Sequence, residues 1–248
     1  MSIFDRLGDK LEGKGRTILY AIAGLIVLAI LVGVFSWWRG KHAEEAQRAL
    51  GRAIEIAQAP VSPTPQTGTT GPTFTNEKDR AQAAAAEFQK VEVKYGDPYR
   101  TLAHYFRAAN LLTVDRASGI KELEALTHNG DKEVATRAKF ALAQAHEEDG
   151  QLDAAAALYS ELAKANTDTV PADTADLRLA AVYEKQGKKQ EAANILFSIV
   201  EAARKARDKD GKPVPESAAA RDAADRLQRL DPARFAQLPP EPPKDLPF

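Results

Sequence analysis

The chain is predicted to be all-α: a single N-terminal transmembrane helix followed by a domain of stacked helical hairpins. Three observations predict this. Thr17 to Trp38 contains no Asp, Glu, Lys or Arg and consists mostly of Ile, Leu, Val, Ala and Phe. Beyond it, apolar residues recur at helical spacing in one segment after another, with alanine in runs such as 83–86 and 154–157. Two segments of the second half also lie over each other when Gly150 and Gly187 are aligned, 37 residues apart (187 − 150). Alanine is the best helix former, and its small side chain lets helices cross closely.

Residues 1–16 read as a short head, expected on the cytoplasmic side, and 17–38 as the anchor. As a helix the apolar run rises roughly 33 Å, enough for a hydrocarbon core of about 30 Å. Trp37 and Trp38 close one end and Tyr20 lies near the other, as aromatic rings do at the water–lipid boundary. A cleavable signal would have a shorter apolar stretch and a small-x-small site. Here the stretch runs into two tryptophans and then Arg39. Arg6, Lys10, Lys14 and Arg16 before the span balance Arg39, Lys41, Arg48 and Arg52 after it, so flanking charge does not set the orientation.

Next comes a juxtamembrane helix over 39–58, with Ala43, Ala46, Leu50, Ile54 and Ala57 on one face and Pro60 stopping it. Residues 59–76 are rich in Pro, Thr and Gly and are expected to form a flexible exposed loop. From 77 to 231 the pattern predicts a hairpin-repeat domain, with helices near 77–95, 98–113, 117–128, 132–149, 152–165, 172–186, 189–208 and a capping helix over 217–230. Asp97-Pro98 marks one helix start and Asn129-Gly130 one helix end. Residues 232–248 read as a Pro-rich disordered tail.

The chemistry is sparse. Lys and Arg number 34 against 35 Asp and Glu, for a net charge of -1, so nothing selects nucleic acid, which favours a basic face. Cysteine is absent, which removes disulfides, thiolate metal sites and a cysteine nucleophile. His42, His104, His128 and His146 lack metal-ligand spacing, and no phosphate loop or dinucleotide fingerprint is present. Glu147, Glu148 and Asp149 read as a solvated helix end. The expectation is a protein that binds rather than catalyses, with no cofactor, metal or small-molecule substrate.

The two aligned segments are 140–159 and 177–196. Each has a large and a small residue where two helices cross, Leu142-Ala143 and Leu179-Ala180. Each then has a glycine at the turn, Gly150 and Gly187, and a small residue in the second helix, Ala155 and Ala192. Tyr159 and Leu196 fill the groove to the next unit. These residues resemble the tetratricopeptide repeat, whose period is about 34 residues. An earlier pair, 99–109 with 120–126, lacks the turn glycine. Ala84, Phe88 and Val91 read as the second helix of a still earlier unit, whose first helix is 41–58.

In such an array the first helix of each pair lines a concave groove. The residues placed there are Leu102, Tyr105, Phe106 and Ala109, then Phe140, Ala141 and Gln144, then Leu177, Arg178 and Ala181. The set is mostly apolar and suits a hydrophobic segment of a partner protein. Phe106 and Phe140 are equally readable as core.

The whole layout, with its short head, an anchor ending in aromatics, a juxtamembrane helix, Pro98-Tyr99-x-x-Leu102-Ala103 and two clear repeats, resembles the ancillary subunit of the bacterial SecYEG translocon over about residues 15–230. That resemblance implies a single-pass inner-membrane protein with its repeats in the periplasm. It also implies association with the translocon and with a membrane-anchored periplasmic prolyl isomerase chaperone. The Pro-Thr loop and the Pro-rich tail depart from the family's pattern. Other readings of the same repeats are a cell-envelope scaffold or cell-division coordinator and, with the opposite topology, a cytoplasmic signalling adaptor.

Overall fold

A computed structural model describes residues 42–62 and 71–241; the predicted head and anchor lie outside the described residues. Every extended element of secondary structure among them is a helix, apart from two isolated bridges. In chain order these are α1 (42–57), α2 (Glu77–Lys94), α3 (Tyr99–Val114), α4 (Arg116–Leu126), α5 (Lys132–Glu148), α6 (Leu152–Ala165), α7 (Ala172–Lys185), α8 (Lys189–Lys205), α9 (Ala218–Leu230) and the single turn α10 (Pro232–Phe235). No helix among the described residues is long and apolar enough to cross a membrane.

Local chemistry explains the boundaries. Asn76 accepts from Asp79 N at the start of α2 (2.8 Å), Asp131 from Glu133 N at the start of α5 (2.9 Å), and Ser217 from Ala220 N at the start of α9 (3.1 Å). Each takes up an amide that has no partner inside the helix. Gly150 and Gly187 have φ of 72° and 76°. In both turns the same two hydrogen bonds close the helix: Gln151 N to His146 O with Gly150 N to Glu147 O, and Lys188 N to Tyr183 O with Gly187 N to Glu184 O. This is the Schellman arrangement, and the left-handed residue it needs is the one glycine adopts without strain. The two turns are copies of each other.

The core is divided along the chain. Ala46, Leu50 and Ala53 of α1 cluster with Ala84, Phe88 and Val91 of α2 and Ala103 of α3. Ala108 of α3 joins Leu123 and Leu126 of α4 and Val134, Ala138 and Leu142 of α5. Ala143 of α5 joins Ala155, Ala156, Tyr159 and Leu162 of α6 and Ala175, Leu179 and Val182 of α7. Ala180 of α7 joins Ala192, Leu196 and Val200 of α8 and Ala223 and Leu227 of α9. Each cluster is thus one hairpin closed by the first helix of the next. No hairpin could bury its apolar face alone, which is the logic of a stacked array. Phe88 and Tyr159 are wholly buried (0 % exposed), each worth about 1.5–3 kcal/mol relative to exposure.

As expected from the apolar spacing, α1 is the first helix of the first hairpin and packs on α2, so the packed array starts at 42 rather than at the expected domain boundary of 77. Three expectations need correction. The ends of the Pro-Thr loop are fixed, because Val61 and Phe74 form a parallel bridge and Ala59 is buried; residues 63–70 lie outside the described residues. The helix expected to reach 208 stops at Lys205. Asp208 there accepts from Asp210 N and Lys212 N and folds the chain back so that Arg207 bridges Pro213. The tail is packed as far as Pro239. Asp231 caps α10, Arg234 stacks over Phe197 (5.1 Å), Arg204 over Phe235 (5.7 Å), and Arg204 Nη1 donates to Pro239 O (2.7 Å). These contacts cover the outer side of α8, where a further hairpin would otherwise stack.

Candidate protein-binding face

Helices α3, α5 and α7 are the first members of successive hairpins, and they form one row. α3 packs directly on α5, α7 packs on α9, and Lys185 of α7 donates to Glu147 of α5 (2.7 Å). All ten residues expected on the binding face lie on this row: Leu102, Tyr105, Phe106 and Ala109 on α3, Phe140, Ala141 and Gln144 on α5, and Leu177, Arg178 and Ala181 on α7. None is fully buried. Nine are half-buried and Arg178 is exposed.

They divide into two kinds. Phe106 stacks on the buried Phe88 (5.2 Å between centroids), Tyr105 tilts against Phe106 (5.3 Å), and Phe140 meets Tyr159 edge-on (5.8 Å). Leu102 and Phe106 pack on the first cluster, Tyr105 and Ala141 on the second, Phe140 on the third and Leu177 on the last. These six plug the seams between hairpins. Ala109, Gln144, Arg178 and Ala181 belong to none of the clusters, and the Gln144 and Arg178 side chains make no hydrogen bond or ion pair with another described residue, although the Arg178 charge acts on the Tyr159 phenol. The surface open to a partner is therefore narrower and more polar than the sequence suggests.

The structure adds polar joints that the sequence reading left out. Arg107 of α3 binds Glu92 of α2 (2.8 Å) and Glu122 of α4 (2.9 Å), and His104 sits between the same two carboxylates at 3.7 Å from each. Arg116, at the start of α4, reaches the C-terminal end of α5, donating to Ala145 O (2.8 Å), Asp149 (2.6 Å) and Glu148 (3.1 Å). Gln186 donates to Asp153 (2.9 Å). Arg116–Asp149 and Asp153–Gln186 are each separated by 33 residues and Glu147–Lys185 by 38. That is one repeat length, so complementary polar groups at the repeat period were the available signal. Glu147, Glu148 and Asp149 are thus joint residues rather than a merely solvated helix end. Exposed pairs of this kind contribute about 0–1 kcal/mol each. Their effect is on register between hairpins more than on stability.

At one joint burial changes the chemistry. The Tyr159 hydroxyl donates to Glu147 Oε2 (3.1 Å). Burial, and then the Glu147 carboxylate, push the phenol well above its usual value of 10.0. Folding therefore favours the protonated phenol. Its contribution is complete below pH 10 and is lost as pH rises past that value, by about 1.4 kcal/mol per pH unit, until the folded phenol itself ionises. Tyr159→Phe is expected to make the fall in Tm between about pH 10 and 11.5 shallower than in the parent chain. A circular-dichroism melt at several pH values measures this, and equal slopes would contradict the joint. Burial raises Tyr105 in the same direction, opposed by Arg137.

The histidines are scattered: His42 opens α1, His104 lies in the α2–α3–α4 joint, His128 is exposed beyond α4, and His146 is half-buried near the end of α5. No group of three or more His, Asp or Glu among the described residues is arranged to hold a metal ion. No family model, curated protein or solved structure matches the chain.

Proposed function

We propose that the chain is a non-catalytic, membrane-anchored adaptor that binds other proteins through tetratricopeptide-like hairpins, as an ancillary subunit linking the Sec translocon to periplasmic chaperones during protein export. The observation that carries the binding role is the row α3–α5–α7, with Ala109, Gln144, Arg178 and Ala181 outside the core clusters on its surface. Continuous rows of first helices are where stacked hairpins take up partner segments. The paired crossings Leu142-Ala143 and Leu179-Ala180 and the duplicate glycine turns support the tetratricopeptide likeness. The charge-free run from Thr17 to Trp38 supports the anchor. The translocon assignment rests on the resemblance of the layout.

The test is purification of the intact protein from its native membrane in mild detergent, with a photocrosslinker at Gln144 or Arg178 and mass spectrometry of what is captured. Recovery of translocon subunits with a periplasmic isomerase is the expected result. Recovery of division or wall-assembly proteins would replace it with the envelope-scaffold reading. A C-terminal reporter active only in the cytoplasm would overturn the orientation.

A further inference from the structure

His42, the first described residue of α1, lies four residues beyond Trp38, where the charge-free run ends. Whatever path residues 39–41 take, four peptide steps span at most about 14 Å. The start of α1 is therefore tied close to the end of the anchor. The chain then brings a particular corner beside it. Arg80, early in α2, donates to Ala59 O just past the end of α1 (3.4 Å), while Ala46, early in α1, shares a cluster with Val91 and Tyr95. The two helices run antiparallel, so the end of α2 lies next to the start of α1. Arg100, at the start of α3, donates back to Tyr95 O (3.3 Å). The α2–α3 corner is thus about one helix spacing, 8–10 Å, from the start of α1.

This corner is chemically distinctive. Lys90, Val93 and Lys94 share one face of the last turn of α2 at i, i+3 and i+4 spacing, all exposed, and Arg100 is exposed beside them. Val93 is 82 % exposed, the most exposed large apolar side chain among the described residues. Of the neighbouring carboxylates, Glu92 pairs with Arg107, Asp97 accepts from the Thr101 hydroxyl (2.6 Å), Glu87 pairs with Lys90 and Glu44 with Arg48, while Glu45 is exposed at the start of α1. A protruding apolar side chain framed by lysines is the pattern of a segment that lies in the headgroup layer, apolar group inward and ammonium groups at the lipid phosphates.

We propose that the α2–α3 corner docks on the bilayer surface, with Val93 entering the headgroup boundary and Lys90, Lys94 and Arg100 facing lipid phosphate. This rests on the reading of 17–38 as a membrane anchor. The headgroup layer is about 5–7 Å deep on each side, and a connection of at most about 14 Å with one helix spacing of about 8–10 Å keeps the corner within reach of it. Docking fixes the tilt of the array and makes α3 the membrane-proximal member of the α3–α5–α7 row.

The absence of cysteine permits a direct test. The full chain, carrying Val93→Cys or, as a control, Gln151→Cys in the α5–α6 turn at the opposite edge, is labelled with a fluorophore. It is then placed in nanodiscs of phosphatidylcholine with phosphatidylglycerol that contain a headgroup spin-labelled lipid. The label at 93 is expected to be quenched strongly and the label at 151 weakly. Lys90→Glu with Lys94→Glu should shift the docking equilibrium away from the surface by about fivefold or more per lysine. Quenching should likewise weaken in discs lacking phosphatidylglycerol. A chain that inserts in the discs but shows equal quenching at 93 and 151 overturns the docking. A chain that does not insert overturns the anchor reading, and the docking with it.

Discussion

Gly119→Val is expected to destabilise the array by about 3 kcal/mol, a fall in Tm of roughly 6–12 °C for a domain of this size. Gly119 is buried on α4, and a Cβ built there would stand 2.6 Å from Leu112 N, 2.9 Å from Leu111 C and 3.1 Å from Ala108 O. All three atoms are backbone of α3, so no rotamer change relieves the clash. The helices must separate, and the cluster of Ala108, Leu123, Leu126 and Leu142 opens with them. Gly119→Ala should already be costly for the same reason. Gly51→Ala is the contrasting case, because nothing lies within 4 Å of a Cβ there. As a helical, exposed position it should gain about 0.5–1 kcal/mol. Thermal melts followed by circular dichroism read both changes, and an unaltered Tm in Gly119→Val would mean that α3 and α4 do not cross at this point.

Gly119 also explains why the earlier hairpin was the hardest to recognise as a repeat. Its turn needs no left-handed glycine, because Asp115 both ends α3 and caps α4. The Ser118 hydroxyl donates to its carboxylate (2.7 Å) and, with the Ser118 amide, holds that carboxyl below the usual carboxylate range. The glycine lies instead in the second helix, where the later hairpins have Ala155 and Ala192. The physical requirement, a small residue at a close crossing, is kept while the letter pattern changes.

Elements set by neighbouring residues were legible. Helix ends at Gly150 and Gly187 follow from turns within a few residues, and the seven helices expected between 77 and 208 are present with ends shifted by three residues or fewer. What depended on distant partners was not. The tail held by Arg204 and Phe197 involves contacts with no local signature, whereas the pairing of α1 with α2 across the Pro-Thr loop follows from the apolar spacing of the two segments. The face expected to bind was legible in position on the row but not in how much of it packing leaves open. Helical spacing placed all ten residues on first helices, yet only tertiary packing separates Phe106 and Phe140, seated in seams, from Gln144 and Arg178.

Two substitutions two residues apart on α5 separate fold from function. Leu142 is 5 % exposed in the cluster formed by α3, α4 and α5. Leu142→Asp removes an apolar side chain and leaves a carboxylate with no cation in that cluster, a combined cost of about 4 kcal/mol or more. In a stacked array each unit contacts only its neighbours, so the loss should be felt first as local opening of the second and third hairpins. Hydrogen exchange is expected to show faster exchange over 99–148 than over α8 and α9, together with a fall in Tm on the order of 10 °C. Gln144→Asp changes a half-buried side chain that makes no hydrogen bond to another described residue. Its Tm should stay within about 2 °C of the parent. A partner segment bound on the α3–α5–α7 row would nevertheless meet a new negative charge there. Capture through a crosslinker at Arg178 should drop in Gln144→Asp while its fold is intact. Equal melting temperatures for the two variants would rotate α5 away from this register, and undiminished capture in the stable one would move the binding surface off the row.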